Sequence, residues 1–523
     1  MPKDQVDPRV GAQPDLQHGE VLAQDLDNEK LSFKYVWKHR RVLGWCHFIF
    51  LLPVNFGYDS STIGNLLAVT PFLKRFGREV DGQLLVSAND QQTVNAADTV
   101  GSFLSAFAAG FVSDHIGRKW TIGIGCLFCV AGIVVQYFST SIVQLFGGKL
   151  LGTFGYGLGH ALGPVFVAEL APNQMRGPCL ALIITMIVVG QWLHGAACYA
   201  ASLSFSGDRA WRVPIISQLI PPCILLLGLP FLAESPAWLI LKGRHAEARK
   251  SLRRFHGPDI DVDTAMAFAV SAVEAEREVG KSSSSYLQCF KGTDGGRTLI
   301  IYMTYIAQQL TGINFIAGYL TYYFRLAGVN NPLGTVQIAF GTQLFGNLCA
   351  LVIVDRVGRR PLLVGGTVFM TVVLLVIGGI SMMSTQSALT GTVALMVVWG
   401  YLYQATLGAV AFVIGAETPS MALRQKTYSI KMMSAGASSC LILQIMPYLL
   451  NPDQADLGGK ICFVFFAMAV PVCIYFYFCL PEMKGRSYVE IEEMFQKRVA
   501  ARKFKSYVRE AVSRGLKMWR LKR

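Results

Sequence analysis

The stretch Gly147–Gly177 reads GGKLLGTFGYGLGHALGPVFVAELAPNQMRG, and most of it is apolar enough and long enough to cross a lipid bilayer. Glycines recur in it at intervals of four residues, for example at Gly155, Gly159 and Gly163. Small residues at this spacing let helices touch backbone to backbone, which is how helices pack where lipid offers no hydrophobic driving force. One cation, Lys149, lies inside the uncharged run, and such a charge usually faces a partner or a polar cavity.

Acidic and basic residues at fixed spacing occur twice in the chain. The second copies follow the first by 248 and 241 residues: Glu169 and Arg176 match Glu417 and Arg424, and Asp114 and Arg118 match Asp355 and Arg359. Two different motifs with nearly the same offset are poorly explained by chance. They indicate an internal duplication in which each half contains about six membrane spans.

The composition indicates a protein that crosses the membrane many times. Of its 523 residues, 52% are hydrophobic and only 15% are charged, whereas soluble domains carry about 25% charged residues. Apolar runs of about 20 residues recur along the chain. The net charge of +14 lies in the two ends and the central loop, with no basic–aromatic surface segment, so it does not indicate nucleic-acid binding.

The sequence contains no pattern typical of a metal site, a cofactor site or an enzyme active site. Its 12 cysteines are scattered, mostly within the apolar runs, and they read as small apolar helix residues. The glycine-rich runs lack the preceding strand and the following Lys-Ser/Thr of a phosphate loop. We therefore expect no metal, no cofactor and no enzymatic activity.

The apolar runs divide the chain into five regions. We predict a polar tail at 1–42, six spans within 43–232, a polar linker with short helices at 233–297, six more spans within 298–480, and a basic tail at 481–523. The tails, the linker and alternate short links hold most of the Lys and Arg, so both termini should face the cytoplasm. We expect a monomer in the plasma membrane.

One carboxylate lies well inside the first span. Asp59 ends the run Asn55-Phe-Gly-Tyr-Asp59, and Lys149 of the fourth span is its nearest cationic candidate. Intramembrane carboxylates are most often proton carriers or ion partners. A static buried ion pair is the alternative, and proton coupling is the preferred interpretation.

The duplicated charges predict a gate at the cytoplasmic ends of the spans. The Asp-x-x-Gly-Arg motifs suit tight turns, from which their arginines can reach Glu169 or Glu417. We predict that this network locks the cytoplasmic side, although simple anchoring by positive charge also operates. The predicted gate residues are Asp114, Arg118, Glu169, Arg176, Asp355, Arg359, Glu417 and Arg424.

Amide side chains are the candidates for substrate binding. Gln308, Gln309 and Asn314 lie within two helical turns of the seventh span. Amides both donate and accept hydrogen bonds, which suits a neutral polyhydroxyl ligand. Three further candidates stand singly, where polar residues more often join helices to one another: Gln191, His194 and Gln343.

These residues resemble the sugar porter family of the major facilitator superfamily over nearly all of residues 43–500. The matching motifs are Gly57-Tyr-Asp59, Asp114…Gly117-Arg118-Lys119, Glu169-Leu-Ala-Pro…Arg176-Gly177, Glu234-Ser-Pro-Ala-Trp-Leu239, Gln308-Gln309…Gly312-Ile-Asn314, Asp355…Gly358-Arg359-Arg360 and Pro481-Glu-Met-Lys-Gly-Arg486. Gly148-Lys149, Gly190-Gln191 and Leu423-Arg-Gln-Lys-Thr427 look like the fungal α-glucoside (maltose)/proton symporter branch, where most sugar porters have Gly-Arg in place of Gly-Lys.

The resemblance implies an all-α fold of twelve helices in two six-helix halves with alternating access. It also implies that Asp59 accepts the proton beside Lys149, and that Gln191, Gln308, Gln309 and Asn314 contact sugar. Three departures lie in the C-terminal half. Gln343 replaces the usual Asn, Gly408–Phe412 lacks the usual prolines and Trp, and Ala435-Gly436 replaces an aromatic–Asn pair.

The sequence therefore predicts proton-coupled transport of a sugar or glycoside through the bilayer. One alternative is transport of another polyhydroxylated metabolite by the same scaffold, because the C-terminal half departs from the family pattern. Another is a non-transporting nutrient sensor, which the presence of both Asp59 and Lys149 disfavours. Substrate identity and direction of transport stay open.

Overall fold

A computed structural model describes residues 33–80, 82–257, 261–281, 286–383, 385–420, 423–486 and 488–507. Most of the two predicted tails, at 1–32 and 508–523, lies outside the described residues. So do the side chains of Asp355 and Arg424, although their backbones belong to described helices.

The N-terminal half contains spans 1 to 6. A short helix at Phe33–Lys38 precedes span 1, which is built from three consecutive segments, Arg40–Ile49, Leu51–Ser60 and Thr62–Leu66. A helix at Thr70–Phe76 and an antiparallel hairpin of β1 (Arg78–Val80) and β2 (Gln83–Leu85) lead to span 2. Spans 2 to 6 are Ala88–Ile116, Arg118–Tyr137, Ile142–Leu170, Asn173–Ser204, and Arg209–Ser217 with Ile220–Gly228 and the 3₁₀ turn Leu229–Phe231.

After a linker of short helices, the C-terminal half again contains six spans. The linker carries helices Pro236–Leu241, His245–His256 and Val262–Lys281 and the 3₁₀ turn Tyr286–Phe290. Spans 7 to 12 are Gly292–Leu310 with Phe315–Tyr319 and Leu320–Leu326, then Pro332–Val357, Arg359–Ile380, Gln386–Tyr403 with Gln404–Gly408 and Ala409–Glu417, Arg424–Leu450, and Ile461–Cys479. The 3₁₀ turn Gly458–Lys460 precedes span 12, and Tyr488–Gln496 and the 3₁₀ turn Ala501–Ser506 follow it.

The predicted all-α architecture of twelve spans is confirmed. Within the described residues, 11 helices are long and apolar enough to cross a membrane. Span 1 is the twelfth, and it misses that length because its helix is interrupted at Phe50 and Ser61. The helices Phe33–Lys38 and Tyr488–Gln496 lie with the linker on one side of the bundle, which we call the terminal side; the opposite side, with the hairpin, is the loop side.

Glycines bring the spans into backbone contact, as their spacing predicted. A Cβ atom added at Gly132 of span 3 would lie 2.3 Å from the backbone nitrogen of Gly152 in span 4. One added at Gly57 of span 1 would lie 2.0 Å from the carbonyl oxygen of Ile187 in span 5. Helices approach this closely only where no side chain separates them, so these contacts hold spans 1, 3, 4 and 5 in fixed register.

The two halves meet through two pairs of spans. Span 5 packs against span 8, and span 2 packs against span 11. The hydrogen bonds that join described residues of the two halves are found between the middle of the spans and the loop side. The one farthest from the loop side joins Thr185 Oγ1 to Asn347 Oδ1 at 2.5 Å. On the loop side an ion pair joins Arg78 to Asp453 at 3.2 Å.

We predict that Gly57→Ala destabilises the purified protein by about 1–3 kcal/mol, because the added methyl group overlaps the backbone of span 5. Gly44→Ala in the same span is the matched control, because a Cβ there meets nothing within 4 Å. The measurement is the midpoint of thermal unfolding in detergent. Equal midpoints for the two variants would contradict the packing described here.

Candidate translocation site

A buried lysine joins three spans near the middle of the N-terminal half. The Lys149 Nζ atom donates to Asp59 Oδ1 at 2.6 Å and to the Asp59 backbone carbonyl at 3.1 Å. It also lies 3.3 Å from Asp98 Oδ1 of span 2. The Lys149 side chain is 0% exposed and that of Asp59 is 5% exposed. The predicted partnership of Asp59 and Lys149 is therefore present, and it includes a second carboxylate.

Asp98 is a residue that sequence reasoning missed. The polar residues before it, among them Asp90, Gln91 and Gln92, resemble a loop rather than part of a span. The helix instead begins at Ala88, so Asp98 lies roughly 15 Å along it at 1.5 Å per residue. The Thr153 hydroxyl of span 4 donates to Asp98 Oδ1 at 2.7 Å, one helical turn from Lys149.

The amides of span 7 gather at a break in its helix. Gln308 and Gln309 end the first segment, and Asn314 precedes the π-helical turn Phe315–Tyr319. The Asn314 amide donates to Gln309 Oε1 at 2.8 Å and to Ser439 Oγ of span 11 at 3.0 Å. The structure therefore brings two of the three predicted amides into direct contact, and it adds a span 11 hydroxyl to them.

Gln191 and His194 of span 5 differ in their surroundings. The Gln191 amide donates to the hydroxyl of the exposed Ser60, next to Asp59, at 3.3 Å. His194 is fully buried, with its Nδ1 atom 3.0 Å from Asn65 Nδ2 and its ring against Tyr58. The prediction that His194 binds substrate is thus not supported by its position, because its ring joins spans 1 and 5.

Gln343 of span 8 also lies inside the protein. It is 1% exposed, packs against Gly400 of span 10, and has no hydrogen-bond partner among the described residues for either amide atom. One turn further along span 8, Asn347 joins Thr185 of span 5 at 2.5 Å and Gln404 of span 10 at 3.3 Å. Sequence reasoning missed this network, because a lone amide does not reveal which neighbour it faces.

The duplicated charges form the predicted ion pairs on the terminal side. Arg118 lies 3.3 Å from Glu169 and 3.3 Å from Asp114, and Arg359 lies 2.8 Å from Glu417. Each pair lies within one half, so none of them ties the halves together directly. Arg176 is exposed and forms no ion pair within the described part of the chain.

Two further carboxylates complete these clusters, one in each half. Glu234 accepts from the backbone N–H groups of Arg118 at 2.9 Å and Lys119 at 3.2 Å, where span 3 begins. Glu482 accepts in the same way from Arg359 and Arg360, both at 3.1 Å, where span 9 begins. Carboxylates are stabilised at helix N-termini by the unpaired N–H groups and the helix dipole.

The close fit of these carboxylates requires glycine at the preceding turn. Gly117 has φ +96° and Gly358 has φ +105°, a backbone region that glycine adopts without strain. A Cβ at Gly117 would lie 2.2 Å from Glu234 Oε2. Burial raises the pKa of Glu234, while the backbone N–H groups of Ser235, Lys119 and Arg118 act in the opposite direction.

Polar side chains seal the two halves together on the loop side. Asn95 of span 2 donates to the Tyr319 hydroxyl at 2.5 Å and to the Leu443 carbonyl at 2.8 Å. Thr321 donates to Asn65 at 2.5 Å. The loop-side seal consists of Asn65, Gln91 and Asn95 from the N-terminal half and Tyr319, Thr321, Tyr322, Leu443 and Asn451 from the C-terminal half. His194 supports this seal through Asn65.

Twelve spans in two similar halves, with charged and amide groups buried near the middle of the bilayer, define a membrane transporter of the major facilitator fold. Residues 45–495 match the family model described as "Sugar (and other) transporter", and the chain belongs to this family. In the part of the chain that the structure describes, no group of three His, Cys, Asp or Glu side chains is arranged to hold a metal ion.

Several known proteins are similar to this chain. The general α-glucoside permease of Saccharomyces cerevisiae is 29% identical over 494 residues, which cover 91% of this chain and 79% of that protein. The major facilitator-type transporter ecdD of Aspergillus rugulosus is 28% identical over 484 residues, 89% of each chain. The solved proton:xylose symporter XylE of E. coli, bound to 6-bromo-6-deoxy-D-glucose, superposes with a TM-score of 0.68 at 21% identity, covering 87% of this chain and 99% of XylE.

We predict that Asn95→Ala weakens the loop-side seal, because it removes two hydrogen bonds between the halves. Spin labels at the exposed Lys74 and Lys460, one in each half on the loop side, report the separation. The distance distribution should gain a longer component. Asn89→Ala, an exposed position on the same helix, is the control and should leave the distribution unchanged. The same distribution for both variants would contradict the seal.

Proposed function

We propose that this protein is a proton-coupled symporter of a sugar or glycoside. The observation that carries the proposal is Lys149 held on Asp59 inside the membrane-spanning bundle, one residue from Ser60 and its partner Gln191. Charged groups inside a membrane are costly, and they mark proton relays and substrate pathways. The α-glucoside permease and the proton:xylose symporter XylE, to which the chain is similar, support this function.

The coupling follows from the electrostatics of the pair. While Asp59 is ionised, its attraction to Lys149 holds spans 1 and 4 together in a poorly screened setting. A proton on Asp59 removes most of that attraction and makes movement of these spans less costly. If substrate binding favours the same arrangement as the proton, each strengthens the binding of the other by the same factor.

The two halves supply different parts of the site. The N-terminal half carries the cluster of Asp59, Asp98 and Lys149, and the C-terminal half offers the amides Gln308, Gln309 and Asn314. Neutral amides match the hydroxyl groups of an uncharged sugar. The amide of buried Gln343 has no hydrogen-bond partner among the described residues, which favours a second candidate, another polyhydroxylated metabolite, because this part of the site departs from the family pattern.

Orientation, location and gating belong to the same proposal. We propose that the terminal side, which carries most of the basic residues, faces the cytoplasm and that the protein lies in the plasma membrane; the loop side, where the two halves are hydrogen-bonded, then faces outward. We propose that a monomer transports by alternating access. The Arg118–Glu169 and Arg359–Glu417 pairs, with Glu234 and Glu482, hold the span ends that close the cytoplasmic side.

The direct test is a substrate panel on reconstituted vesicles with an imposed pH gradient. The panel contains α-glucosides, monosaccharides and uncharged polyhydroxylated compounds of other classes. Accumulation of an α-glucoside above its external concentration would support the first candidate. Accumulation of a compound from another class alone would support the second. No pH-driven accumulation of any compound would contradict proton-coupled symport.

We predict that Asp59→Asn abolishes accumulation driven by a pH gradient but spares exchange without a gradient, because the amide mimics the protonated acid. Lys149→Arg should be tolerated, since most sugar porters carry Arg at this position. Uptake and counterflow in the same vesicles separate the two activities. If the Asp59→Asn variant still accumulates substrate against a concentration gradient, the proton-coupling role is wrong and Asp59 and Lys149 form only a structural ion pair.

We predict that Gln309→Ala weakens substrate affinity about two- to tenfold, the effect of losing one hydrogen bond worth roughly 0.5–1.5 kcal/mol. Expression and thermal stability should change little. The matched control is Gln337→Ala, because the Gln337 amide bonds only the Leu333 carbonyl of its own helix in the described structure. Equal losses of stability and transport in the Gln309 variant would indicate a role in helix packing.

A further inference from the structure

Asp98 shares its cation with Asp59. Lys149 Nζ is 2.6 Å from Asp59 Oδ1 and 3.3 Å from Asp98 Oδ1, so one ammonium group faces carboxylates from two different spans. The remaining short contact of Asp98 is the Thr153 hydroxyl, which donates to the same oxygen at 2.7 Å. The three charged side chains and Thr153 form a single cluster inside the bilayer.

The charges of this cluster do not balance when both acids are ionised. One lysine then faces two carboxylates, which leaves a net charge of −1 in a setting where water is scarce. Two carboxylates at one site repel each other, so one of them binds a proton more readily than it does alone. The titratable groups that sense the charge of Asp98 are Asp59 of span 1, Lys149 and Tyr156 of span 4, and Tyr319 of span 7.

Exposure distinguishes the two acids. The Asp59 side chain is 5% exposed and accepts a short hydrogen bond from Lys149. The same lysine also donates to the Asp59 backbone carbonyl. The Asp98 side chain is 24% exposed and has the longer contact to Lys149. Asp98 is therefore the more accessible of the two acids, and Asp59 has the closer contact to the lysine.

We propose that Asp98 is a second proton-binding carboxylate of this transporter, the member of the cluster that exchanges protons with the aqueous route. This inference rests on the proposed proton-coupled function and names a further residue for it. One proton from water bonds to a carboxylate oxygen of Asp98, and the charge of the cluster rises from −1 to zero. Lys149 then pairs with Asp59 alone, and no other bond forms or breaks.

The position of Asp98 also connects the proton to the loop-side seal. Asn95 lies three residues earlier on span 2, on the same face of the helix, and it bonds Tyr319 and Leu443 of the other half. Neutralising Asp98 loosens the hold of Lys149 on span 2. The same helix carries the seal, so the proton state of Asp98 acts on the contact between the halves.

The test is infrared difference spectroscopy of the purified full-length protein in lipid nanodiscs, titrated from alkaline to mildly acidic pH without substrate. The wild type should show a carboxylic-acid C=O band that Asp98→Asn lacks and that Asp98→Glu restores at a shifted frequency. Asp90→Asn, at the loop-side start of the same helix, is the matched control and should keep the band. If Asp98 only influenced the titration of Asp59, Asp98→Asn could still remove the band, but Asp98→Glu would leave its frequency unchanged.

The Asp59→Asn variant sharpens the test. With Asp59 neutralised, Lys149 faces a single carboxylate, so the Asp98 band should appear only at lower pH. An Asp98→Asn spectrum equal to that of the wild type would overturn the proposal. If Asp98→Asn fails to fold, an Asp98→Glu spectrum without any band shift would overturn it equally.

The titration is independent of transport, because it needs no substrate. Wild-type vesicles that show no proton-coupled uptake would contradict the proposed function while leaving the infrared result for Asp98 intact. Wild-type vesicles with coupled uptake, together with an unchanged Asp98→Asn spectrum, would contradict this inference alone.

Discussion

The structure depends on one buried charge. Lys149 lies in span 4 with no exposed surface, and removing an ammonium group from water costs several kcal/mol unless partners compensate. Its partners come from spans 1 and 2, so the position of the lysine constrains three helices at once. The glycines of span 4 make this possible, because the backbones of spans 3 and 4 touch where a larger side chain would separate them.

The two halves are similar at their ends and different at their centre. On the terminal side, Glu234 and Glu482 accept from the first N–H groups of spans 3 and 9 in the same geometry, which follows from the duplication. Inside the spans, the N-terminal half holds the cluster around Lys149 and the C-terminal half holds the amide pair of Asn314 and Gln309. In the proposed mechanism, the proton therefore binds in the N-terminal half, and the amides of the C-terminal half meet the substrate.

Much of the fold could be predicted from the sequence, because hydrophobic runs and repeated motifs are local signals. The spacing of Gly155, Gly159 and Gly163 predicted close helix packing, and Asp59 and Lys149 were expected to meet. Asp98 was not predicted because the polar residues before it resemble a loop. In the structure, Gln91 and Asn95 of that run form hydrogen bonds with residues of the C-terminal half.

The sequence could not predict which neighbouring span each polar side chain faces. His194 and Gln191 share a helical face, yet His194 contacts Asn65 inside the bundle while Gln191 reaches the exposed Ser60. Rotation of a span is determined by its neighbours, which a hydrophobic pattern does not identify. The ion pairs of the predicted gate were expected from spacing, and each pair lies within one half, as the positions of its residues in the chain require.

The most direct test of this account is whether substrate carries protons with it. Proteoliposomes containing the wild-type protein and a trapped pH indicator start without a pH gradient, and the membrane potential is clamped at zero. External addition of the sugar that is accumulated best should acidify the lumen as the labelled sugar enters. Entry of the labelled sugar with an unchanged lumenal pH would contradict the account, because the charged cluster around Lys149 would then have no part in transport.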